Sequence, residues 1–595
     1  MLAGILYFIS IIYIIMGFHL LKKSDEMLNG IAVIGFEVLM LLCWQTVFGR
    51  LFSLVGIPVS IVYFAIVNFT AGTAFFILTK LKGVQKYEYK AVDAAALAVF
   101  AIGVLLIGGK QFGFSYDTFN FESMQDSAIH LMDARKTASD SVIKDRLYFE
   151  SLNTGLLMEA IYPFIPTYRD LSVFVRNEMF TLFLNCSLFW LLIRNFLTTR
   201  KSCIFGMLMT LLFAGAYPLN SMIFGTSYLS SGIACCIALL ISFELFIHRK
   251  IKAPFCISFL FLSAYGLFVS YVLFAAVMFS GIGIYFIYYL VKEKRFSKKG
   301  LIVLFSVLGI LSVIAVMVFI KNFGRSFSGL KYIGYNYFNL YSNFLFFIPF
   351  LAMAVTDWIK KRELTLEAVM LVINVYIIFF CIMTSKVSIY YTGKFYCTLS
   401  LLCFYIFVKY ISCCDITRFI RTYCITWAAL LGIWCLDFTD FLITENGINK
   451  SISTKQIFDI YQWNREQITL YDDNTRDPAA SEIFYYDENT ASRRELYAYV
   501  AEYSEDKNIT VGYLAETSHM KYQFFALANQ PMPAEYKKTK MVAADILSYV
   551  EDNASYVCVV TNKLSEYDKE EYQRFAESFE IIYENDEGFF AKVNG

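Results

Sequence analysis

A carboxylate beside a membrane and within reach of water can take a proton from a hydroxyl once a lid excludes solvent. Asp117, in Phe112-Gly-Phe-Ser-Tyr-Asp-Thr-Phe-Asn120, stands in such a place, just beyond an apolar run that ends near residue 109. A helical pattern follows it, and an aspartate there also serves as an N-cap acceptor for free backbone N–H groups. Both readings of Asp117 stay open on the residues alone. Asp126, His130 and Asp133 recur at i, i+4 and i+7 and so share one face of that helix. Oxygen and imidazole ligands on one face suit a divalent cation, the cofactor this pattern would take. With Arg135 beside them, the same residues also make the solvated face of an amphipathic helix, the simpler reading.

Two further segments combine cations with phenols: Lys321, Arg325, Lys331, Tyr332, Tyr335 and Tyr337, then Lys386, Tyr390, Tyr391 and Lys394. Lys and Arg stabilise the charge on a departing phosphate. Basic residues with Tyr equally anchor helix ends among lipid head groups. The main ionisable residues within apolar runs are Glu37, Glu244 and Asp357, of which Glu37 could face a cavity. No Walker loop, CxxC pair, HExxH or nucleophile elbow occurs in the sequence.

The elements that must position these groups are set by a membrane. Of 595 residues 58% are apolar and 17% charged, with a mean hydropathy of +0.54; ordinary soluble domains run about 45–50% apolar and about 25% charged. The averages hide a division. Up to about residue 436 apolar runs follow one another, near 2–21, 29–48, 55–79, 91–109, 171–197, 203–219, 230–247, 253–268, 270–291, 301–320, 339–357, 365–384, 395–411 and 419–436. Their lengths predict about fourteen transmembrane helices. Ser263, Gly266 and Ser270 mark the turn that splits the 253–291 stretch. The first run lacks a basic start and a small-residue cleavage pattern and reads as a retained span.

From Asp440 onward the apolar runs stop and acidic residues outnumber basic ones by almost two to one, so the membrane part is correspondingly basic. Nothing in that balance suggests nucleic acid. All cysteines but Cys558 lie in or beside apolar segments. A lone thiol in the tail leaves it without an internal disulfide. Within the tail, Ile509–Leu514 and Tyr556–Thr561 read as buried strands and Glu580–Val593 as a hairpin around Asn585–Gly588, with helical patterns over Met541–Val550 and Glu570–Phe579. The 110–170 segment, about 60 residues, is too long for a passive connector. It carries helical patterns over Asn120–Lys136 and Phe149–Pro166 that read as interfacial amphipathic helices.

Placing Lys22-Lys23 in the cytoplasm and alternating puts Lys80/Lys82/Lys86/Lys90, Arg200-Lys201, His248 to Lys252, Lys292 to Lys299, Lys360-Lys361-Arg362 and Arg418/Arg421 inside. Residues 110–170, 220–229, 321–338, 385–394 and the tail then fall outside. Dense basic clusters are thereby internal, as the positive-inside bias requires.

With its acid just after a core span and helices before the next one, Tyr116-Asp117-Thr118 resembles the outer-loop arrangement of the GT-C superfamily of polytopic glycosyltransferases. The ending Phe579-Glu-Ile-Ile-Tyr-Glu-Asn-Asp-Glu-Gly-Phe-Phe-Ala-Lys-Val593 resembles the C-terminal ends of several bacterial members. The likeness runs from about 91 to 593. This chain differs in the three spans that precede the one leading into the loop, and in lacking an acid adjacent to Asp117.

The resemblance implies an α-helical polytopic membrane protein with a small C-terminal α/β soluble domain, in three parts. These are N-terminal transmembrane helices over 1–90, a GT-C-like core over 91–438, and an extracytoplasmic domain over 439–595. It implies membrane lipid, a polyprenyl-phosphate sugar donor and a glycan, lipid or protein acceptor as partners. Asp117 would be the base. Lys386, Lys394 or Arg325 would stabilise the phosphate, and Asp126, His130, Lys331, Tyr390 and Tyr391 would line the substrates. A lipid-linked-glycan flippase or transporter would seldom carry both the long polar loop and the outer domain, and an envelope-assembly scaffold would need no reachable acid. An O-antigen-polymerase-like enzyme would place its large loop between late spans, where the loops here are short.

The charge pattern predicts that residues 110–170 and 440–595 are both outside the cell membrane. Single cysteines placed there on a cysteine-free background should react with an impermeant reagent in intact cells. Labelling of a tail position only after permeabilisation would invert the topology.

Overall fold

The structure is a computed structural model that describes residues 1–112, 125–139, 148–165, 167, 170–223, 226–292, 335–336, 338–362, 364–384, 389–413, 444–445, 448–449, 469–470, 491–505, 507, 509–514, 518–533, 536, 549–550, 552–561 and 579–593. Lipid offers backbone groups no hydrogen-bond partners, so apolar segments of this length close their bonds internally as helices. They do so in α1 (Leu2–Leu20), α2 (Ile34–Val55), α3 (Ile61–Lys82), α4 (Ala91–Phe112), α5 (Gln125–Ala138), α6 (Phe149–Ile161), α7 (Leu171–Ile193) and α8 (Arg200–Gly215). There follow α9 (Tyr217–Ile223), α10 (Ser227–Ile247), α11 (Ala253–Ser270), α12 (Val272–Lys292), α13 (Phe338–Lys361), α14 (Leu366–Thr384) and α15 (Ile389–Cys413). Among the described residues eight helices are long and apolar enough to cross a membrane: α1, α2, α3, α7, α10, α11, α12 and α15. The chain is mostly helical and built as a membrane-embedded protein. The predicted spans at 301–320 and 419–436 lie outside the described residues.

Burial separates the centre of the bundle from its rim. The apolar windows of α10 and α15 are 78% and 72% buried, whereas those of α1 and α3 are 28% buried and turn Ile5, Ile9, Ile12, Val62 and Ile66 outward, as lipid-facing helices do. The predicted split of 253–291 falls at Tyr271, whose extended backbone (φ −156°) separates α11 from α12.

The basic connections gather at one end of the bundle. The Lys252 N–H donates to the Lys23 carbonyl at 2.9 Å, and the Ser24 hydroxyl to the Lys250 carbonyl. Lys23 is 3% exposed and pairs with Glu37, which also bonds His19 Nδ1 at 2.7 Å. Glu37 is thus fully engaged rather than open to a cavity. Close by, the buried Asp93 accepts from Trp190 Nε1 and Arg194 Nε, each at 2.8 Å, and from Asn29.

At the other end lie α5 and α6. The sequence pattern gives both one wet face, and for α6 the structure corrects this. Most of α6 is buried, including Glu150, Ser151, Asn153 and Thr154. Two of its polar side chains bond within the protein: Asn153 Nδ2 donates to the Phe149 carbonyl at 2.7 Å, and Thr154 Oγ1 accepts from Asn177 at 2.8 Å. Glycine makes the α5–α6 approach possible. A Cβ at Gly155 would lie 2.6 Å from the Ala134 carbonyl oxygen and 2.5 Å from Thr137 Cβ.

The C-terminal part holds α16 (Ala491–Ser504), α17 (Ser518–Leu527) and a four-stranded sheet. Two further strands, β1 (Leu28–Asn29) and β2 (Tyr87–Glu88), pair in parallel beside the basic end. The sheet runs β3 (Val511–Leu514), β4 (Tyr556–Val559), β6 (Gly588–Val593), β5 (Phe579–Asn585), parallel between β3 and β4 and antiparallel elsewhere. The predicted strands and hairpin are in place, whereas the predicted helices at 541–550 and 570–579 lie mostly outside the described residues. Tyr497, Tyr513, Phe524, Phe525, Val557 and Phe590 form the core, with Tyr497 and Tyr513 joined through their hydroxyls at 2.7 Å. Cys558 is a buried free thiol, pushed well above its ordinary range by burial.

This domain seats on α5. Arg135 forms a two-pronged pair with Asp170, both N–O distances being 2.7 Å, and its third prong donates to the Ala526 carbonyl. Tyr162 donates to the same carboxylate at 3.1 Å. Beside them Glu505 accepts from the Thr167 backbone at 3.2 Å and hydroxyl at 3.3 Å. Burial works against the charge on Arg135, but Asp170 outweighs it and raises the guanidinium's affinity for its proton.

Asp170 is 0% exposed, so removing its partner strands a buried charge. Arg135→Met is expected to lose about 3–5 kcal/mol in denaturant unfolding of the full chain, and Arg135→Met with Asp170→Leu to recover much of it. An unchanged single variant would show that the pair does not hold the domain.

Candidate functional site

The end of the bundle that meets the C-terminal sheet region also collects ionisable and aromatic side chains from five helices. α5 supplies His130, α6 Glu150, α7 Glu178, α10 Ser227 and Tyr228, and α15 Tyr391 and Lys394. Tyr271, in the break between α11 and α12, completes the group.

Lys394 is the cation of this site and is 3% exposed. Its ammonium donates to the Tyr228 hydroxyl at 2.7 Å and lies 5.1, 5.3 and 5.4 Å from the ring centres of Tyr228, Tyr271 and Tyr391. Rings at that range attract a cation through their quadrupoles. Tyr228 links the two halves of the site, because it also meets the His130 ring, with centroids 5.1 Å apart. The Tyr148 ring meets His130 edge-on at 5.6 Å.

His130 is therefore not on a wet face. It is 6% exposed, and its Nδ1 has no hydrogen-bond partner among the described residues. Of the face that sequence assigned to solvent, His130 is covered by the Tyr148 and Tyr228 rings, while Asp133 is partly exposed.

Two buried acids accompany His130. Glu150 Oε1 accepts from the Ser227 hydroxyl at 2.5 Å, while its Oε2 has no partner among the described residues. Burial pushes the Glu150 carboxyl above the usual carboxylate range, and His130 and Ser227 act against that rise. Glu178 is 2% exposed and lies near enough to Glu150 for their charges to interact. Neither of its oxygens has a partner among the described residues, although Ser227, turned toward Glu150, is beside it.

Of the residues singled out from sequence, the structure brings together His130, Tyr391 and Lys394. Asp117, Arg325, Lys331 and Lys386 lie outside the described residues, as do the side chains of Asp126, Tyr390 and Asp357. Asp133 is on α5, partly buried. Among the described residues no three His, Cys, Asp or Glu side chains converge to hold a metal ion. Sequence reading missed Glu150, Glu178, Tyr228 and Tyr271. For Glu178 a signal existed, since an acid inside an apolar span is by itself a reason to suspect a site. For Glu150 none did, because it looked like a polar residue of an amphipathic helix.

A second polar group lies toward the opposite end, where Lys409 pairs with Glu367, and Glu244 meets His248 at 3.0 Å. Glu244, Glu367, Met370 and Tyr405 line a small pocket there. Comparisons with family models, curated proteins and solved structures find no match for this chain.

Proposed function

We propose that this protein is a membrane glycosyltransferase, moving a sugar from a polyprenyl-phosphate donor to an envelope glycan, lipid or protein acceptor at the outer face of the cell membrane. One observation carries the reading. Buried carboxylates, an imidazole and a lysine surrounded by tyrosines share one site, at the bundle end that bears the soluble domain. Such a site has what the reaction needs: a cation for the phosphate, aromatic faces for a sugar ring, and groups that exchange protons. On this reading the bundle is of GT-C type with about fourteen transmembrane helices, and residues 439–595 form an extracytoplasmic domain that holds the acceptor.

The chemistry then runs as follows. The polyprenyl chain lies between helices with its phosphate toward Lys394, joined by Lys386, Arg325 and Lys331. The acceptor oxygen attacks the anomeric carbon, and the bond from that carbon to the phosphate oxygen breaks with its electron pair leaving on the phosphate. Asp117 takes the acceptor's proton, in the outer loop that enters α5. Tyr390, Tyr391, His130 and Asp126 line the substrates. A transporter of lipid-linked glycans is the second reading, favoured by the acids and cations toward both ends of the bundle.

Asp117→Asn keeps the side chain's size and much of an N-cap's hydrogen bonding but removes the proton acceptor. Transfer from a polyprenyl-phosphate sugar should fall by roughly 10²–10⁴-fold, the usual contribution of a general base, at normal protein level. The first readout is loss of a surface glycan in cells carrying the variant. Full transfer by Asp117→Asn would remove Asp117 from the mechanism. A transporter would instead move the intact lipid-linked sugar across vesicles without transfer.

A further inference from the structure

At the basic end of the bundle three connections are tied into one polar cap: residues 21–33 between α1 and α2, 83–90 between α3 and α4, and 248–252 between α10 and α11. Gln85 is at its centre and is buried. Its side-chain carbonyl accepts from the Lys23 and Ser24 N–H groups at 2.9 and 2.8 Å, and its amide donates to the Glu26 and Lys86 carbonyls at 2.9 and 3.1 Å. The β1–β2 pair continues this tie. The bonds from Lys252 to Lys23 and from Ser24 to Lys250 join the third connection to the first. The hydrogen bonds thus fix which side chains share the surface of the cap.

That surface is cationic. Lys82, Lys86 and Arg249 are exposed and Lys250 is half-buried, and none of the four forms an ion pair among the described residues. The acids of the cap are mostly engaged elsewhere. Asp25 pairs with Lys22 at 2.8 Å and with Lys252 at 3.6 Å, and Glu88 pairs with Lys90 at 3.0 Å. Glu26 is left to oppose the four cations.

Arg249 also stands where the backbone favours another residue. α10 ends in a turn whose Arg249 and Lys250 N–H groups donate to the Phe246 and Leu245 carbonyls at 3.2 and 3.1 Å, with φ of Arg249 at +53°. Glycine fills such a left-handed position with least strain. The exposed arginine side chain does not offset that strain by packing in the core. Among the cations, Met27, Leu81 and Val84 are exposed as well. Water disfavours these apolar side chains. The boundary between head groups and acyl chains takes apolar and cationic groups together.

We propose that this cap is a binding surface for acidic phospholipids of the leaflet that meets the basic end. Lys82, Lys86, Arg249 and Lys250 engage the anionic head groups, while Met27, Leu81 and Val84 enter the acyl boundary. Basic side chains near a bilayer are drawn to anionic lipid over zwitterionic lipid because only the former carries net charge. A helix dipole explains a cation in the last turn of α3, such as Lys82, but not Lys86, which belongs to no helix. The surface lies at the end away from Lys394 and does not rest on the transferase reading.

Electron spin resonance of the full chain in phosphatidylcholine vesicles tests this without any substrate. A trace of spin-labelled phosphatidylglycerol, or separately of spin-labelled phosphatidylcholine, reports how much of each lipid the protein immobilises. Wild type should immobilise phosphatidylglycerol in preference, and the preference should shrink as salt rises. Arg249→Gly should weaken it without lowering the unfolding temperature in pure phosphatidylcholine, because glycine relaxes the turn. Adding Lys82→Gln and Lys86→Gln should remove most of it, whereas Lys82→Arg with Lys86→Arg should keep it. Equal immobilisation of the two lipids by wild type, or a preference that survives the triple substitution, would overturn the proposal. Loss of the preference in the double arginine variant would contradict a role for charge. A lower unfolding temperature with Arg249→Gly would assign that side chain to the fold and count against its place on the lipid surface.

Discussion

An apolar bundle has no water inside it to solvate a charge, so each ionisable side chain in this protein must either find a partner or give up its charge. That constraint explains where chemistry occurs. In the middle of the helices uncharged polar groups bond either locally, as Ser242 does to the Ala238 carbonyl, or to a neighbouring helix, as Asn185 does to Ser230 and Gln45 to Tyr7. Charged groups gather toward the ends, where pairs such as Lys23–Glu37 and Arg194–Asp93 tie neighbouring helices together. A buried pair of this kind adds little net stability over an apolar substitute, but losing one partner is costly. The pairs therefore fix which helices meet more than how tightly they hold.

The Arg135–Asp170 pair extends the same logic across a domain boundary. Arg135 lies on α5, five residues from His130, and its guanidinium bridges the start of α7 and a backbone carbonyl of α17 in the soluble domain. A helix held at one point by the soluble domain presents His130 to Glu150 and Tyr228 from a defined angle. The C-terminal sheet region and the buried site are in this sense joined through less than one and a half turns of α5.

How much of this was legible in the sequence follows from which forces act locally. Apolar run length is set by lipid thickness, so α1, α2, α3 and α10 could be placed from hydropathy; of the residues expected to mark the turn in 253–291, Ser270 adjoins the Tyr271 break, whereas Ser263 and Gly266 lie inside α11. The alternation and turn residues of 579–593 gave the hairpin for the same reason. His130, Tyr391 and Lys394 could be suspected because cations and aromatics near helix ends stand out by type. What was hidden was their association, which depends on tertiary neighbours. Nothing in Phe149–Ile161 shows that its polar face is buried, since Asn153, Thr154 and Glu150 would look identical on a helix lying in an interface. The same holds for His130 on α5: periodicity reports a face, and only packing reports what each residue of it meets.

The central claim is that the Lys394 end of the bundle, not the Lys409 end, receives a lipid-linked phosphate. Its most direct test is a structure of the full chain in nanodiscs with polyprenyl phosphate added. The account predicts phosphate density in contact with the Lys394 ammonium, beside the rings of Tyr228 and Tyr391, on the side that carries the soluble domain. Phosphate bound instead beside Lys409 and Glu367, or a Lys394 site left unchanged at saturating lipid, would contradict it.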